Sequence, residues 1–189
     1  TIAGGDYTLD HKTTTSSWTT TIEKKFDTSR EFRISAQIKK ISGVNNYGYG
    51  LIFGRKDSKN TNKFLISGNG SYLIISYENG QRKKVKDWTE SKLIKTGNGS
   101  SNTLTIKKQG SKTDFLINSR VVFTSYSTKY YGDRVGFSAE NRQKVAIAYL
   151  SLSYLDDKKS NITTTTTTKE SIILNDDFSS NKTNWAESN

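Results

Sequence analysis

The sequence predicts an all-β protein built as a two-sheet antiparallel β-sandwich. Apolar and polar residues alternate along most of its 189 residues, which is typical of strands with one buried side and one solvent-facing side. Hydrophobic residues make up only 32% of the chain, yet aromatic residues reach 11%, and disordered chains are poor in aromatics. Proline is absent, so Gly, Asn, Asp and Ser must form the turns.

The strands are predicted in order along residues 6–155. From Phe32 to Ile38 every second residue is apolar, which indicates a strand with one buried face. The sequences Gly68-Asn69-Gly70 and Asn79-Gly80 are turn signals that separate three later strands into two hairpins. About a dozen short strands result, and packing two sheets face to face is the economical way to bury them.

Two later segments extend this pattern. Asn118-Ser119 is predicted as a turn between two further apolar strands, since apolar residues alternate on both sides of it. The alternation from Val145 to Tyr149 continues out of phase in Leu150–Tyr154, which predicts a register shift at a β-bulge. The chain's one basic cluster, Arg82–Lys86, is expected to spread its charges over both faces of a strand.

The composition changes after residue 155. A polar stretch leads to six consecutive threonines, which have no core to pack against, so residues 156–170 are predicted as an extended linker between the sandwich of residues 1–155 and a segment of residues 171–189. The threonines are candidate O-glycosylation sites, and the asparagines of four Asn-x-Ser/Thr sequons are candidate N-glycosylation sites. These candidates are Thr163, Thr164, Thr165, Thr166, Thr167 and Thr168, and Asn69, Asn98, Asn161 and Asn181.

The segment of residues 171–189 reads as a strand that cannot bury its apolar side alone. It is therefore expected to complete a sandwich, either in a neighbouring copy or in the same chain. The candidate residues for this strand donation are Ile172, Ile173, Leu174, Phe178 and Trp185. The extended linker is long enough for either placement, so its length does not decide between them. The neighbouring copy is favoured here, because a segment that returned to its own sandwich would not need so long a Thr-rich linker.

Two runs of residues resemble a known family. Tyr47–Gly54 (YGYGLIFG) and Lys63–Gly70 (KFLISGNG) are similar to segments of bacterial extracellular repeat domains of the concanavalin A-like lectin/glucanase superfamily, and the similarity covers about residues 6–155. The resemblance implies a jelly-roll β-sandwich at the cell surface or outside the cell. It implies a fold more strongly than an activity.

The opening of that family is divided between the two ends of this chain. Such domains usually begin with a strand like DDFSSN…W and continue through a Gly-rich turn to G-x-Y-x-L-x-H-K. Here Gly5–Lys12 matches the second half, while Asp176–Asn181 together with Trp185 matches the first half. The chain is therefore expected to be circularly shifted against its family, and its final segment offers the strand that the body lacks.

Two functions follow as hypotheses. The first is a structural subunit or repeat of a surface filament or adhesin, assembled head to tail with copies of itself by strand donation. The alternative is a lectin-like carbohydrate-binding module of a tandem-repeat adhesin. Its candidate platforms for stacking on sugar rings are Tyr47, Tyr49, Tyr72, Trp88, Tyr130 and Tyr131. Aromatic residues of this kind also serve as core residues or cross-strand pairs. The net charge of +11 favours acidic partners such as an acidic polysaccharide, or serves solubility alone.

No catalytic, metal or cofactor site is predicted. Glucanases of the resembled superfamily carry a Glu-x-Asp-x-x-Glu strand that supplies paired carboxylates, and this sequence lacks it. There is no cysteine, and the single histidine, His11, is expected to face solvent and cannot by itself build a zinc site or a Ser-His-Asp triad. Calcium at the aspartates of strand ends is left open. No apolar run approaches the ~20 residues of a membrane span.

Overall fold

A computed structural model of the chain confirms the all-β prediction. It describes residues 2–3, 5–14, 16–24, 26–156, 169–180 and 185, and within these ranges the regular structure is β-strand throughout. The strands form two antiparallel sheets, and their apolar faces pack on each other as in other sandwiches. No helix capable of crossing a membrane occurs in the described ranges.

The larger sheet has eight strands. They are β1 (Ile2–Ala3), β2 (Asp6–His11), β4 (Phe32–Gly43), β9 (Ser101–Gln109), β10 (Lys112–Ile117), β11 (Arg120–Ser125), β13 (Gln143–Asp156) and β14 (Lys169–Asp176). Their order across the sheet is β1-β2-β13-β4-β9-β10-β11, and β14 also pairs with β13. Strand β11 is therefore one edge of this sheet.

The smaller sheet has six strands. They are β3 (Ser17–Glu23), β5 (Gly48–Arg55), β6 (Thr61–Ser67), β7 (Ser71–Glu78), β8 (Gln81–Glu90) and β12 (Arg134–Glu140). Their order is β3-β12-β5-β6-β7-β8. Strand β8 is thus an edge, and it pairs with β7 alone.

The predicted turns and bulge are confirmed. Asn79 and Gly80 join β7 to β8 with φ of 52° and 82°, the positive values that a two-residue hairpin turn of this type requires at both positions. Asn118 and Ser119 join β10 to β11, also with positive φ. Along β13 the register against β4 shifts between Ile147 and Tyr149, where the apolar alternation changes phase.

The core lies between the sheets and is rich in aromatic rings. Phe115 of β10 contacts Phe53 of β5 and Phe64 of β6 edge to face, with ring centroids 5.8 and 5.3 Å apart. All three side chains are buried. Such pairs join strands of opposite sheets, and their geometry adds to the free energy of burial.

Strand β13 is bordered by β4 on one side and by two shorter strands in succession on the other. Strand β14 pairs with its second half, where Asp176 is opposite Leu150, and β2 pairs with its first half, where Tyr7 is opposite Ile147. Both are antiparallel to β13, so β14 and β2 run in the same direction along one line. This is the arrangement that the divided family opening predicts. The placement is within the same chain, however, and the neighbouring-copy placement favoured from the sequence is not what this structure contains.

Candidate functional site

A cleft opens where the free edges of the two sheets face each other. Strand β8 of the smaller sheet forms one wall, and β11 with the residues that follow it forms the other. The cleft has a volume of about 520 Å³, which lies in the range of roughly 300–1,000 Å³ typical of ligand sites. It exists because, among the described strands, none closes the sandwich on this side.

The floor of the cleft is apolar and the rim is polar. Phe53, Ile74 and Phe115 reach it from the core and are each almost fully buried. Ser125 ends β11 and is buried, and Ser127, two residues later, is exposed on the rim. An apolar base with hydroxyls and charges around it suits an amphipathic small molecule or a sugar ring.

The segment between β11 and β12, residues 126–133, crosses from one sheet to the other over this end of the sandwich. Its backbone is held by the side-chain amide of Asn62, which donates to the Lys129 carbonyl at 2.9 Å. The hydroxyls of Ser76 and Tyr131 share a hydrogen bond of 2.9 Å. We call residues 126–133 the crossover loop. These contacts hold one wall of the cleft in place.

Tyr126 is the most exposed aromatic side chain of the cleft. Its relative exposure is 70%, and it follows directly after β11 on the crossover loop. An exposed tyrosine ring beside polar groups is a surface on which a sugar can stack while the ring's edge groups form hydrogen bonds. Tyr131 lines the same cleft, whereas the Tyr130 ring packs between Phe32 and Phe53. Burial raises the pKa of Tyr130 to about 12.

A carboxylate lies between two lysines at the cleft wall. Glu78, at the end of β7, accepts hydrogen bonds from Lys83 of β8 and from Lys129 of the crossover loop, the latter at 2.6 Å. The hydrogen bond from Lys129, followed by that from Lys83, lowers the pKa of Glu78 to about 2. The same bond to Glu78 raises the pKa of Lys129. Glu78 is therefore a carboxylate and Lys129 an ammonium at neutral pH.

The structure buries two of the aromatic residues that the sequence singles out for carbohydrate binding. Tyr49 and Tyr72 are 0% and 4% exposed, so neither presents a ring face to a ligand, which corrects their assignment as sugar platforms. Both alternate inward from their strands. Burial raises the pKa of Tyr49 to about 12, and the Tyr72 hydroxyl donates to the Val122 carbonyl at 2.9 Å.

Tyr47 and Trp88 are at the surface. They are 40% and 39% exposed, but Tyr47 precedes β5 and Trp88 lies in β8, with β6 and β7 between them. At a strand spacing of about 4.8 Å, strands β5 and β8 are about 14 Å apart across the sheet. Tyr47 and Trp88 remain candidate contacts, each as a separate surface.

Sequence reasoning did not identify Tyr126, Glu78 or Lys129 as site residues. The available signals were Tyr131, a candidate from the sequence that lines the cleft, and the basic cluster Arg82–Lys86, from which Lys83 and Lys84 line it. The other wall comes from a segment about 40 residues later in the chain. Only the pairing order of the strands brings these two segments together.

The candidate glycosylation sites are divided between described and undescribed residues. Asn69 and Asn98 lie in exposed turns, and the Asn69 side-chain oxygen accepts a hydrogen bond from Ser67. Asn161, Asn181 and Thr163–Thr168 lie outside the described residues, as does most of the predicted linker.

The candidate strand-donation residues fall into two groups. Leu174, Phe178 and Trp185 are buried at 7%, 0% and 2% exposure, and Ile173 packs partly buried against the same core. Ile172 is 71% exposed, so the expectation that its side chain is buried is wrong. The register of β14 against β13 shifts beside Ile172, and its side chain faces solvent.

The ionisable residues considered for metal binding or catalysis have structural partners. His11 is 7% exposed, contrary to the expectation that it faces solvent, and its Nε2 is 2.9 Å from the Ser16 carbonyl. It lies on the inward face of β2 with Tyr7 and Leu9. Asp176 accepts hydrogen bonds from the Phe178 amide and the Trp185 indole. Within the described ranges no three His, Asp or Glu side chains group as metal ligands.

Comparisons with known proteins identify the fold. No protein-family model matches the sequence, and no curated protein sequence matches it. Among solved structures, the Emp46p carbohydrate recognition domain in its metal-free form has a TM-score of 0.62 at 15% identity, over 80% of this chain and 83% of that chain. The carbohydrate binding module CBM66 from Bacillus subtilis has a TM-score of 0.52 at 14% identity, over 77% of this chain and 80% of that chain.

Similarity also extends to part of an enzyme. The xylan beta-1,4-xylosidase from Bacillus halodurans C-125 has a TM-score of 0.55 at 10% identity, over 78% of this chain but only 32% of that chain. Identities this low establish the fold alone. The chain therefore has a two-sheet jelly-roll β-sandwich, the fold that the sequence resemblance implied.

Proposed function

We propose that this chain is an extracellular carbohydrate-binding module and that the cleft between β8 and β11 is its glycan site. The observation that carries the proposal is the exposed Tyr126 ring above a cleft of about 520 Å³ with an apolar floor. Sugar recognition needs a flat apolar face together with hydrogen-bonding groups at its edge. Two of the solved structures with this fold are named for carbohydrate recognition or binding, which supports the same reading.

The proposed role is binding without hydrolysis. Glycoside hydrolysis commonly requires two carboxyl groups across the scissile bond. Among the described residues that line the cleft, Glu78 is the one acidic side chain, and two lysines hold it as a carboxylate. A neutral, proton-donating acid is not available in that arrangement.

Affinity electrophoresis tests this proposal. Wild-type protein is run through gels containing xylan, β-glucan, galactan or polygalacturonate, and at least one polysaccharide is expected to retard it. Tyr126→Ala should reduce that retardation about tenfold or more, because stacking on an exposed ring is lost. Tyr47→Ala and Trp88→Ala, which remove other exposed aromatic rings, serve as matched controls.

Three outcomes are decisive. Loss of binding in Tyr126→Ala with binding retained in the two controls supports the cleft. Loss in Trp88→Ala or Tyr47→Ala alone would move the site to the surface that the sequence suggested. No retardation by any polysaccharide would remove the carbohydrate-binding proposal.

A second candidate function is assembly with copies of the same chain by strand donation, as a subunit of a surface filament or adhesin. It is favoured by the position of β14, which continues the line of β2 along β13. Residues 157–168 connect β13 to β14. Twelve residues reach up to about 40 Å when extended, whereas a hairpin needs only two to five. A connection of this length lets the same strand bind β13 of a neighbour.

Single cysteines distinguish exchange from the same-chain arrangement. The chain has no cysteine of its own, and Ser151 of β13 is opposite Asn175 of β14. Ser151→Cys and Asn175→Cys chains are mixed, unfolded, refolded together and oxidised. A disulfide between the two chains supports donation. If the double variant forms only internal disulfides and the mixed single variants form none, donation between copies is excluded.

A further inference from the structure

Two lysines of the cleft bind one anionic group, the carboxylate of Glu78. Lys83 contacts Oε2 of Glu78, and Lys129 contacts Oε1 of the same carboxylate at 2.6 Å. The two lysine side chains are 60% and 64% exposed, whereas Glu78 is 22% exposed. The ammonium groups therefore approach from the solvent side, one from each wall of the cleft, and meet on one carboxylate.

The positive charges at this position exceed the negative ones. The described residues lining the cleft include Lys83, Lys84 and Lys129 against the single carboxylate of Glu78. Lys84 also pairs with Asp87 at 2.5 Å, outside the lining. The cleft thus presents a net positive field to a ligand, and a positively lined cleft concentrates anions.

The ion pairs of Glu78 with Lys83 and Lys129 connect the β7–β8 hairpin to the crossover loop. Glu78 and Lys83 belong to the β7–β8 hairpin of the smaller sheet, and Lys129 belongs to the crossover loop. Exposed ion pairs of this kind contribute little to stability and are screened by salt. A ligand carboxylate can therefore take the place of the Glu78 side chain without the sheets having to move.

The other lining groups indicate what carries that carboxylate. Tyr126 offers an exposed ring, and the exposed Ser127 offers a hydroxyl. A uronic acid combines a stackable sugar ring, several hydroxyls and one carboxylate. A simple anion such as phosphate uses only the lysines, and a neutral hexose leaves them unused.

We propose that the cleft selects uronate-containing glycans, whose carboxylate displaces Glu78 from between Lys83 and Lys129. Glu78 then acts as an internal competitor that occupies the anion position when no ligand is bound. This inference rests on the proposed carbohydrate-binding function and specifies its ligand class.

The test uses the full chain and two matched ligands in isothermal titration calorimetry. One is a hexamer of galacturonic acid, and the other is the same hexamer with its carboxyl groups reduced to alcohols. Wild-type protein is expected to bind the uronate hexamer at least about tenfold more tightly, because its carboxylates are attracted by the excess positive charge of the cleft and the reduced hexamer has none. The preference should shrink as salt is raised from about 0.05 to 0.5 M, since exposed charges are screened.

Substitutions of the two lysines and of Glu78 test whether these residues produce the preference for uronate. Lys83→Ala and Lys129→Ala should each weaken uronate binding about threefold to fivefold more than they weaken binding of the reduced hexamer. Glu78→Gln should strengthen uronate binding, because the competing charge is removed while the side-chain shape is kept. Lys39→Ala, which removes an exposed lysine of β4 in the other sheet, is the control for net charge.

The outcomes separate this inference from the function on which it rests. If the neutral hexamer or other neutral glycans bind as tightly as the uronate, uronate selection is wrong and carbohydrate binding stands. Weaker uronate binding in Glu78→Gln would show that Glu78 assists the ligand, which overturns the displacement. If no glycan binds at all, both proposals fail.

Discussion

The ring of Phe178 stacks on the ring of Tyr7, with centroids 5.6 Å apart and planes inclined by 24°. Trp185 contacts the same tyrosine ring at 5.2 Å, and its indole N–H donates to Asp176 at 2.8 Å. Phe137 of β12 closes the group from the opposite sheet. Residues from the two distant ends of the described chain are thus joined inside the sandwich, where β14 and β2 meet along β13.

The first prediction concerns this aromatic group. Phe178→Ala should lower the free energy of unfolding by about 3–5 kcal/mol, the usual effect of removing a buried phenylalanine ring. Ile172→Ala, in the same terminal segment but 71% exposed, should change it by less than about 0.5 kcal/mol. Urea unfolding of both variants measures the difference. Equal effects would mean that the terminal segment does not pack in the core in solution.

The second prediction concerns Lys63, whose side chain is almost fully buried on β6. Its ammonium is 3.1 Å from the Ser138 hydroxyl and 3.3 Å from that of Ser17. Burial, the largest influence, lowers its pKa below the usual 10.5. Between that lowered pKa and 10.5 the unfolded chain binds more protons than the folded one, so stability should rise with pH in this window.

Lys63→Met tests that reasoning. Removing a charge that is costly to bury should raise the free energy of unfolding at pH 7 by about 1 kcal/mol. It should also reduce the rise in stability at alkaline pH. Lys39→Met, at an exposed position, is the control and should change stability by less than about 0.5 kcal/mol. A loss of stability in Lys63→Met alone would show that the two serine hydroxyls compensate the buried charge fully.

The third prediction concerns the pH dependence of Glu78. Its pKa is about 2 in the folded protein against 4.5 ordinarily. Because the folded value is the lower one, the stabilising contribution is present above pH 4.5 and is lost as pH falls towards 2. A carboxyl NMR titration should find this low value, and Lys129→Ala should raise it. The same titration with Lys39→Ala should leave it unchanged. A titration midpoint near 4.5 in the wild type would mean that the two-lysine bridge does not form.

The fourth prediction concerns the close approach of β3 to β12 at Gly136. A Cβ atom added there would lie 2.0 Å from the Thr20 carbonyl oxygen, and a backbone atom cannot move aside as a flexible side chain does. Gly136→Ala should therefore destabilise the protein by about 3 kcal/mol in a thermal or urea melt. Ala139→Gly in the same strand should cost only about 1 kcal/mol. A smaller loss in Gly136→Ala than in Ala139→Gly would contradict this packing.

Local sequence patterns predicted the strands and turns because each depends on neighbouring residues. Alternation from Phe32 to Ile38 reflects the two-residue period of a strand, and Asn79-Gly80 provides the positive φ values of its turn. The divided family opening likewise indicated that the terminal segment completes a sandwich. The choice between the same chain and another copy depends on where β13 finds its partner, which no local pattern specifies.

The candidate site was far less predictable. Tyr49 and Tyr72 are aromatic residues of strands, as a binding platform would be, but their positions in the alternation direct them into the core. Tyr126 belongs to a loop without a regular pattern, and its exposure follows from the ending of β11 at the sheet edge.

By itself, the sequence determined that this chain forms an antiparallel sandwich, where its turns lie, and that its last segment carries an apolar strand. These properties follow from side-chain period, turn chemistry and composition, which act over a few residues. The tertiary structure alone decided that β8 and β11 are the free edges and that Glu78 meets Lys129 across them. It did so because strand order is set by packing and hydrogen-bond pairing between segments far apart in the chain, and a cleft exists only where that pairing stops.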